Sequence, residues 1–186
     1  MKNIFFLVLF FAFATSCKSQ TYPLRTYTHI PQNAYLKDTN NELPSYEGTW
    51  KGIWNNKTIY ITFKKITNKY DNVLKYYNDF LIGKFKVLDG SGSILFDNTT
   101  ISDDKVKLEG GKFRKIDGKY SFSYSDPDLC FKNGYITIHF TDSTKTKLAW
   151  KFSEGSNLIE PDCFYHGFPA DQRPEPLPKE IILSKQ

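Results

Sequence analysis

Three histidines, a short acidic proline turn and three cysteines carry most of the chemistry that this 186-residue chain could perform. His29, His139 and His166 are the only histidines, and none lies in a nucleophile motif such as Gly-x-Ser-x-Gly. His139 shares one face of an alternating run with Tyr135 and Thr137, which suits a wall or groove histidine better than a general base. Asp126-Pro127-Asp128 offers two carboxylates, but no loop of alternating oxygen donors follows to complete a calcium site. It reads as a proline turn. Gly90-Ser91-Gly92 lacks the Lys-Ser/Thr pair and the helix that a phosphate loop needs. A glycosidase-type carboxylate pair would have to be assembled from scattered positions. The expectation is a protein that is not an enzyme, with no cofactor and no metal.

The elements that would position these groups are strands. From Tyr46 onward the chain is a series of period-two segments separated by turn residues. Tyr46–Trp54 faces Thr58–Ile66 across Asn55-Asn56-Lys57, a tight hairpin. Phe80–Leu88, Ser93–Phe96, Lys105–Leu108, Gly111–Ile116, Lys119–Ser125, Gly134–Thr141 and Thr144–Ser153 follow. Asn68 to Asn78, polar and tyrosine-rich, is a longer loop or a frayed strand extension. The fold class expected is all-β, an antiparallel up-and-down meander of about eight to nine strands. A meander of that size closes into a barrel or splits into a β-sandwich. Closure is favoured, because sequential strands with one apolar face need no crossover. The Pro-rich tail, 154–186, is expected to pack on the barrel, with Glu180 to Leu183 as an edge strand.

Charge narrows the partners. The formal net charge is +5, and +4 without Lys2, with acids interspersed among the bases. No basic stripe of the kind that binds nucleic acid is present, so nucleic acid is not an expected partner.

Residues 1–16 read as an export signal: Lys2, an apolar run from Ile4 to Phe13, then Ala14-Thr15-Ser16 leading to Cys17. The run is shorter than the roughly 20 residues a membrane-spanning helix needs. A cysteine at the cleavage point resembles the bacterial lipoprotein signal, which implies that Cys17 carries a lipid and anchors the chain to a membrane. Cys17-Lys18-Ser19-Gln20 is also similar to the starts of small Bacteroidota-type lipoproteins, whose functions are largely unassigned. Surface-exported members of that group tend to carry an acidic run after the cysteine. Here the first acid is Asp38, which implies the periplasmic face of the outer membrane. With Cys17 taken by lipid, Cys130 and Cys163 remain in an oxidising compartment, and a disulfide is the leading expectation. The competing reading makes Cys163 and His166 half of a metal site, although no further ligand pair completes it.

Between 17–45, a linker with a short helical turn, and the tail lies the expected domain, 46–153. It opens on a doubled Gly-x-Trp, Gly48-Thr49-Trp50 and Gly52-Ile53-Trp54, with both tryptophans on one face. Gly-x-Trp on a first strand just after a short helical turn resembles the lipocalin-like, or calycin, barrels, in which the tryptophan plugs one end. That family's late arginine is missing from Thr144 to Ser153, and Arg173 is the only late one. The resemblance implies a binding module for a small apolar or aromatic-stacking ligand. Trp50, Trp54, Tyr120, Phe122, Tyr124 and Trp150 are the candidate ligand-binding residues, each of which could equally be core. The other function class is an envelope accessory protein with a filled barrel that binds a protein partner through its outer face, for which Tyr70, Tyr76 and Tyr77 are suited.

Overall fold

The computed structural model describes residues 20–156 and 159–186. Eleven strands form among them: β1 (Thr21–Pro23), β2 (Tyr35–Lys37), β3 (Gly48–Trp54), β4 (Lys57–Asp71), β5 (Tyr76–Leu88), β6 (Ile94–Asp97), β7 (Leu108–Phe113), β8 (Tyr120–Asp126), β9 (Lys132–Phe140), β10 (Lys147–Glu154) and β11 (Glu180–Lys185). Eight of them close a barrel in the order β3-β4-β5-β7-β8-β9-β10-β11, with β11 returning to β3. Every barrel pairing is antiparallel, and β6 is set aside on the far end of β5. The result is an up-and-down meander in a lipocalin-type arrangement. The sandwich alternative is replaced by closure.

Alternation decides which side chains enter the barrel. In β8 Tyr120, Phe122 and Tyr124 point in while Ser121, Ser123 and Ser125 point out. Ile59, Ile61 and Phe63 of β4, Ile136 and Ile138 of β9, and Leu148, Trp150 and Phe152 of β10 meet them in one core. Rings bridge the interior: Phe63 stacks on Phe122 at 5.1 Å, and Tyr120 meets Phe122 edge-on at 5.2 Å.

The glycines of the opening motif do separate jobs. Gly48 has φ +102°, a conformation that a side chain rarely adopts, where the chain leaves its 3₁₀ turn. At Gly52 a Cβ would stand 2.7 Å from Leu183 Cδ2, so glycine admits β11 beside β3. The strand that contains Glu180 to Leu183 pairs with β10 along most of its length and with β3 through Ser184 and Lys185, so β11 closes the barrel and is not an edge.

The two ends of the barrel differ. At one, the 3₁₀ turn Leu43–Tyr46 lies under Trp50, and the connections 114–119 and 141–146 surround it. This end also extends outward, because β4 and β5 run past the barrel as a long hairpin with a bulge between Ile66 and Lys69. β2 adds parallel to β5 there, and β1 parallel to β2, so part of the expected linker belongs to the sheet. The opposite end collects the connections β3–β4, β5–β7, β8–β9 and β10–β11.

Candidate functional site

The interior rings are spoken for. Trp50, Tyr120, Phe122, Tyr124 and Trp150 are each 1% exposed or less. Trp50 Nε1 donates to the Tyr46 carbonyl (2.8 Å), and Trp150 Nε1 donates to the Pro178 carbonyl (2.9 Å). The Tyr120 hydroxyl oxygen accepts from Leu81 N at 3.0 Å, and burial pushes its pKa well up. Trp54 differs from the other candidates: it is half-buried, with Lys57 Nζ 5.9 Å from its ring. A lysine, and no arginine, lies over the Trp50 ring. Lys185 on β11 holds Nζ 5.4 Å from the Trp50 ring and donates to the Ser45 carbonyl at 3.2 Å.

The polar chemistry gathers at the opposite end. β8 finishes at Asp126, whose Oδ1 accepts from Asp128 N (3.1 Å) and starts the 3₁₀ turn Pro127–Leu129. Cys130 and Phe131 follow with φ +56° and +57°, two consecutive left-handed residues without glycine. That double turn exposes Phe131 to 68% and presents Cys130 to Cys163, with Cα atoms 5.8 Å apart in a disulfide. The metal reading of Cys163 and His166 is thus replaced by the bridge. Among the described residues no group of three or more His, Cys, Asp or Glu is placed to hold a metal ion.

A partly buried ion network supports this turn. Lys107 Nζ lies 2.6 Å from Asp126 Oδ1 and 2.7 Å from Asp128 Oδ2, while Tyr124 donates its hydroxyl proton to Asp126 Oδ2 at 3.0 Å. Burial depresses the Lys107 pKa, but its two carboxylates outweigh that and leave it raised. Burial and then Asp126 push the Tyr124 hydroxyl far up, so it stays a donor. Beside them Asn98 Oδ1 accepts from Phe85 N at 2.6 Å. Its Nδ2 is buried and has no partner among the described residues, which ordinarily costs about 1–3 kcal/mol.

Three clefts open here. One of about 210 Å³ is lined by Phe85, Phe96, Asn98, Lys107, Asp126 and Leu129. A second of about 270 Å³ lies between Lys132, Tyr165, Arg173 and Glu175. The third, about 590 Å³, runs along Phe131, Glu160, Asp162, Cys163 and Phe164. Phe164 is 78% exposed, and it clusters with Tyr165 and Phe168 at 5.0 and 5.5 Å. Glu160, Asp162, Asp171 and Glu175 in this connection face only Arg173 and Lys179 in the sequence, so the cap is acidic on a basic protein.

His139 sits half-buried on the outer wall of β9, its pKa lowered by burial and then by Lys119. It is remote from this end. Sequence reasoning saw Asp126-Pro127-Asp128 as a turn and missed its lysine, because Lys107 lies nineteen residues away, just before β7. A cue to the exposed aromatics was present: each bridging cysteine is followed by phenylalanine, Cys130-Phe131 and Cys163-Phe164.

Fold and site together define a closed, eight-stranded antiparallel barrel with a filled interior and a disulfide-capped end. The model of a family of unknown function, DUF6705, matches residues 1–186, and the chain belongs to that family. No curated protein and no solved structure matches it.

Proposed function

We propose that the chain is a lipid-anchored envelope protein whose barrel is a rigid, non-catalytic scaffold for binding a protein partner. In this proposal Cys17, which lies outside the described residues, carries the lipid at the periplasmic face of the outer membrane. The observation that carries the binding reading is the contrast between the two sets of aromatics. The interior rings are fully packed on one another, whereas Phe131 and Phe164 stand exposed on either side of one disulfide. Exposed aromatics on a cross-linked frame offer contact area at little ordering cost. The acidic residues around them suit a partner with a basic surface.

A small-ligand reading keeps one specific support, the unpartnered Asn98 Nδ2 beside the 210 Å³ cleft. That ligand would need a hydrogen-bond acceptor, and it would sit at the barrel end and not among the interior rings.

The test places a photo-crosslinking amino acid at Phe131 or Phe164 in cells, with Tyr135 on the outer wall of β9 as the control. One envelope protein captured from both cap positions and not from position 135 is the expected result. Capture from no cap position, together with a small molecule retained in native mass spectrometry, would move the function to the Asn98 cleft. Lipid labelling that persists in Cys17→Ser would remove the anchor.

A further inference from the structure

The β4–β5 hairpin ends in two apolar residues that stand largely exposed. Val73 is 87% exposed and Leu74 is 51% exposed, at the tip between Asp71 and Lys75. The tip is built, not frayed. Asp71 Oδ1 accepts from Val73 N and Leu74 N at 2.8 Å each, and Lys75 N donates to the Asp71 carbonyl at 2.8 Å. Tyr70 and Tyr77 meet edge-on behind it at 5.0 Å, with Lys69 and Lys75 exposed nearby. β3 stops pairing with β4 at Phe63, so the tip stands eight residues of strand farther out, about 25 Å.

The start of the described chain lies at the same end. β1 and β2 run parallel to β5, with Thr21 level with Tyr35 and Tyr35 level with Tyr77. The chain entering β1 therefore comes from the side of the hairpin tip. Cys17 stands four positions before Thr21, and Val73 four positions before Tyr77. The reach of the backbone, at most about 3.6 Å per residue, is thus enough to bring Cys17 level with the tip. β2 is fastened to the hairpin by the buried Asp79 carboxylate, which accepts from Tyr35 Oη (2.5 Å), Asp38 N (3.0 Å) and Asn68 N (2.9 Å). β2 cannot leave the hairpin without breaking that network.

We infer that the Val73–Leu74 tip is a second membrane contact, dipping into the lipid headgroup region beside the anchored N-terminus. The inference rests on the proposed lipid at Cys17. Two apolar side chains enter the acyl boundary, the tyrosines lie at headgroup level, and Lys69 and Lys75 face anionic lipid. One lipid attachment leaves a domain free to tumble; two contacts on one rigid sheet fix its orientation. The disulfide cap, at the other end of the barrel, then points away from the membrane.

The experiment uses the full-length protein purified from membranes and reconstituted in vesicles of phosphatidylethanolamine and phosphatidylglycerol. Spin labels are placed through Val73→Cys, Leu74→Cys and, at the opposite end, Ile94→Cys, with the native disulfide kept intact. Collision with oxygen relative to a water-soluble nickel relaxant is expected to be severalfold higher at 73 and 74 than at 94. Labels at 73 and 74 as water-exposed as the one at 94, in protein that floats with the vesicles, would overturn the tip contact and leave the anchor standing. Protein that neither floats nor carries lipid at Cys17 would overturn both.

Discussion

Removing the Cys130–Cys163 bridge tests how the capped end is held. The two cysteines are 33 residues apart, and closing a loop of that length in the unfolded chain is worth about 4 kcal/mol on the chain-entropy model. In the native state the enclosed β9–β10 hairpin is already closed by its own ladder, Gly134 opposite Glu154, and by the Lys132–Glu154 ion pair at 2.6 Å. The bridge therefore orders little in the folded protein beyond the stretch between β10 and Cys163. Against the gain stands the turn it fixes, since left-handed Cys130 and Phe131 cost about 1 kcal/mol or more each. Part of that strain relaxes without the bridge, so Cys130→Ser/Cys163→Ser should lose about 2–4 kcal/mol. For a domain of this size the melting temperature should fall by roughly 5–15 °C. Urea unfolding followed by tryptophan fluorescence and by circular dichroism measures both the loss and its cooperativity. A loss below about 1 kcal/mol would show that the unfolded chain gains nothing from the loop being open, and the entropic account would fail.

Two other perturbations address the opposite end and the Lys86–Asp97 ion pair. Lys185→Met should destabilise the protein by about 1 kcal/mol, because it removes the cation from the Trp50 ring and the donor from the Ser45 carbonyl, while Lys185→Arg should restore most of it; equal urea midpoints for Lys and Met would dismiss the plug. Partial burial works against ionisation of Asp97, but Lys86 at 2.8 Å and two bonds from Thr99 bring its pKa down to about 2. A depressed carboxylate contributes stability above its unfolded value near 4, and that contribution disappears as the pH falls through 2. Carboxyl NMR titration should show Asp97 moving up toward about 4 in Lys86→Met, and an unmoved midpoint would contradict the assignment.

The barrel was legible because its signal is local. Alternation in Tyr120–Ser125, Gly134–Thr141 and Thr144–Ser153 states which side chains enter the core, and short turns leave sequential pairing as the simplest topology. The strand at the end of the tail was legible, but as an edge and not as the stave that closes the barrel. Glu180 to Leu183 reads as an apolar end, and nothing local says that Gly52, 131 positions earlier, leaves out its side chain to seat Leu183. The contact at Trp50 was legible in half. Gly48-Thr49-Trp50 announced the tryptophan, but its cation lies on β11 and is a lysine, outside the stretch where an arginine was expected. At the capped end the cysteines named each other by elimination. Asn98, Lys107 and Asp126 did not, because the end of β8 and the connection between β6 and β7 bring them together and no spacing in the sequence records it.

The seam between β3 and β11 shows why both ends need side-chain locks. Only two residue pairs join these strands, Ser184 with Lys51 and Lys185 with Trp50, and the strands belong to opposite ends of the chain. A pairing so short and so distant in sequence is costly to form, since loop closure precedes any contact that rewards it. β11 therefore depends on what grips it beyond the ladder. At its C-terminal end Lys185 reaches Trp50 and Ser45, and Gln186 N donates to the Thr49 carbonyl at 2.9 Å. Before its N-terminal end Trp150 holds the Pro178 carbonyl, and Phe152 N donates to the Lys179 carbonyl at 2.7 Å. The disulfide ties the approach to β11 back to β8 and β9, strands that have paired by hairpin formation alone. The same bridge that exposes Phe131 and Phe164 thus also shortens the search for the last stave. Binding surface and barrel closure share one cross-link, and a change at either cysteine acts on both.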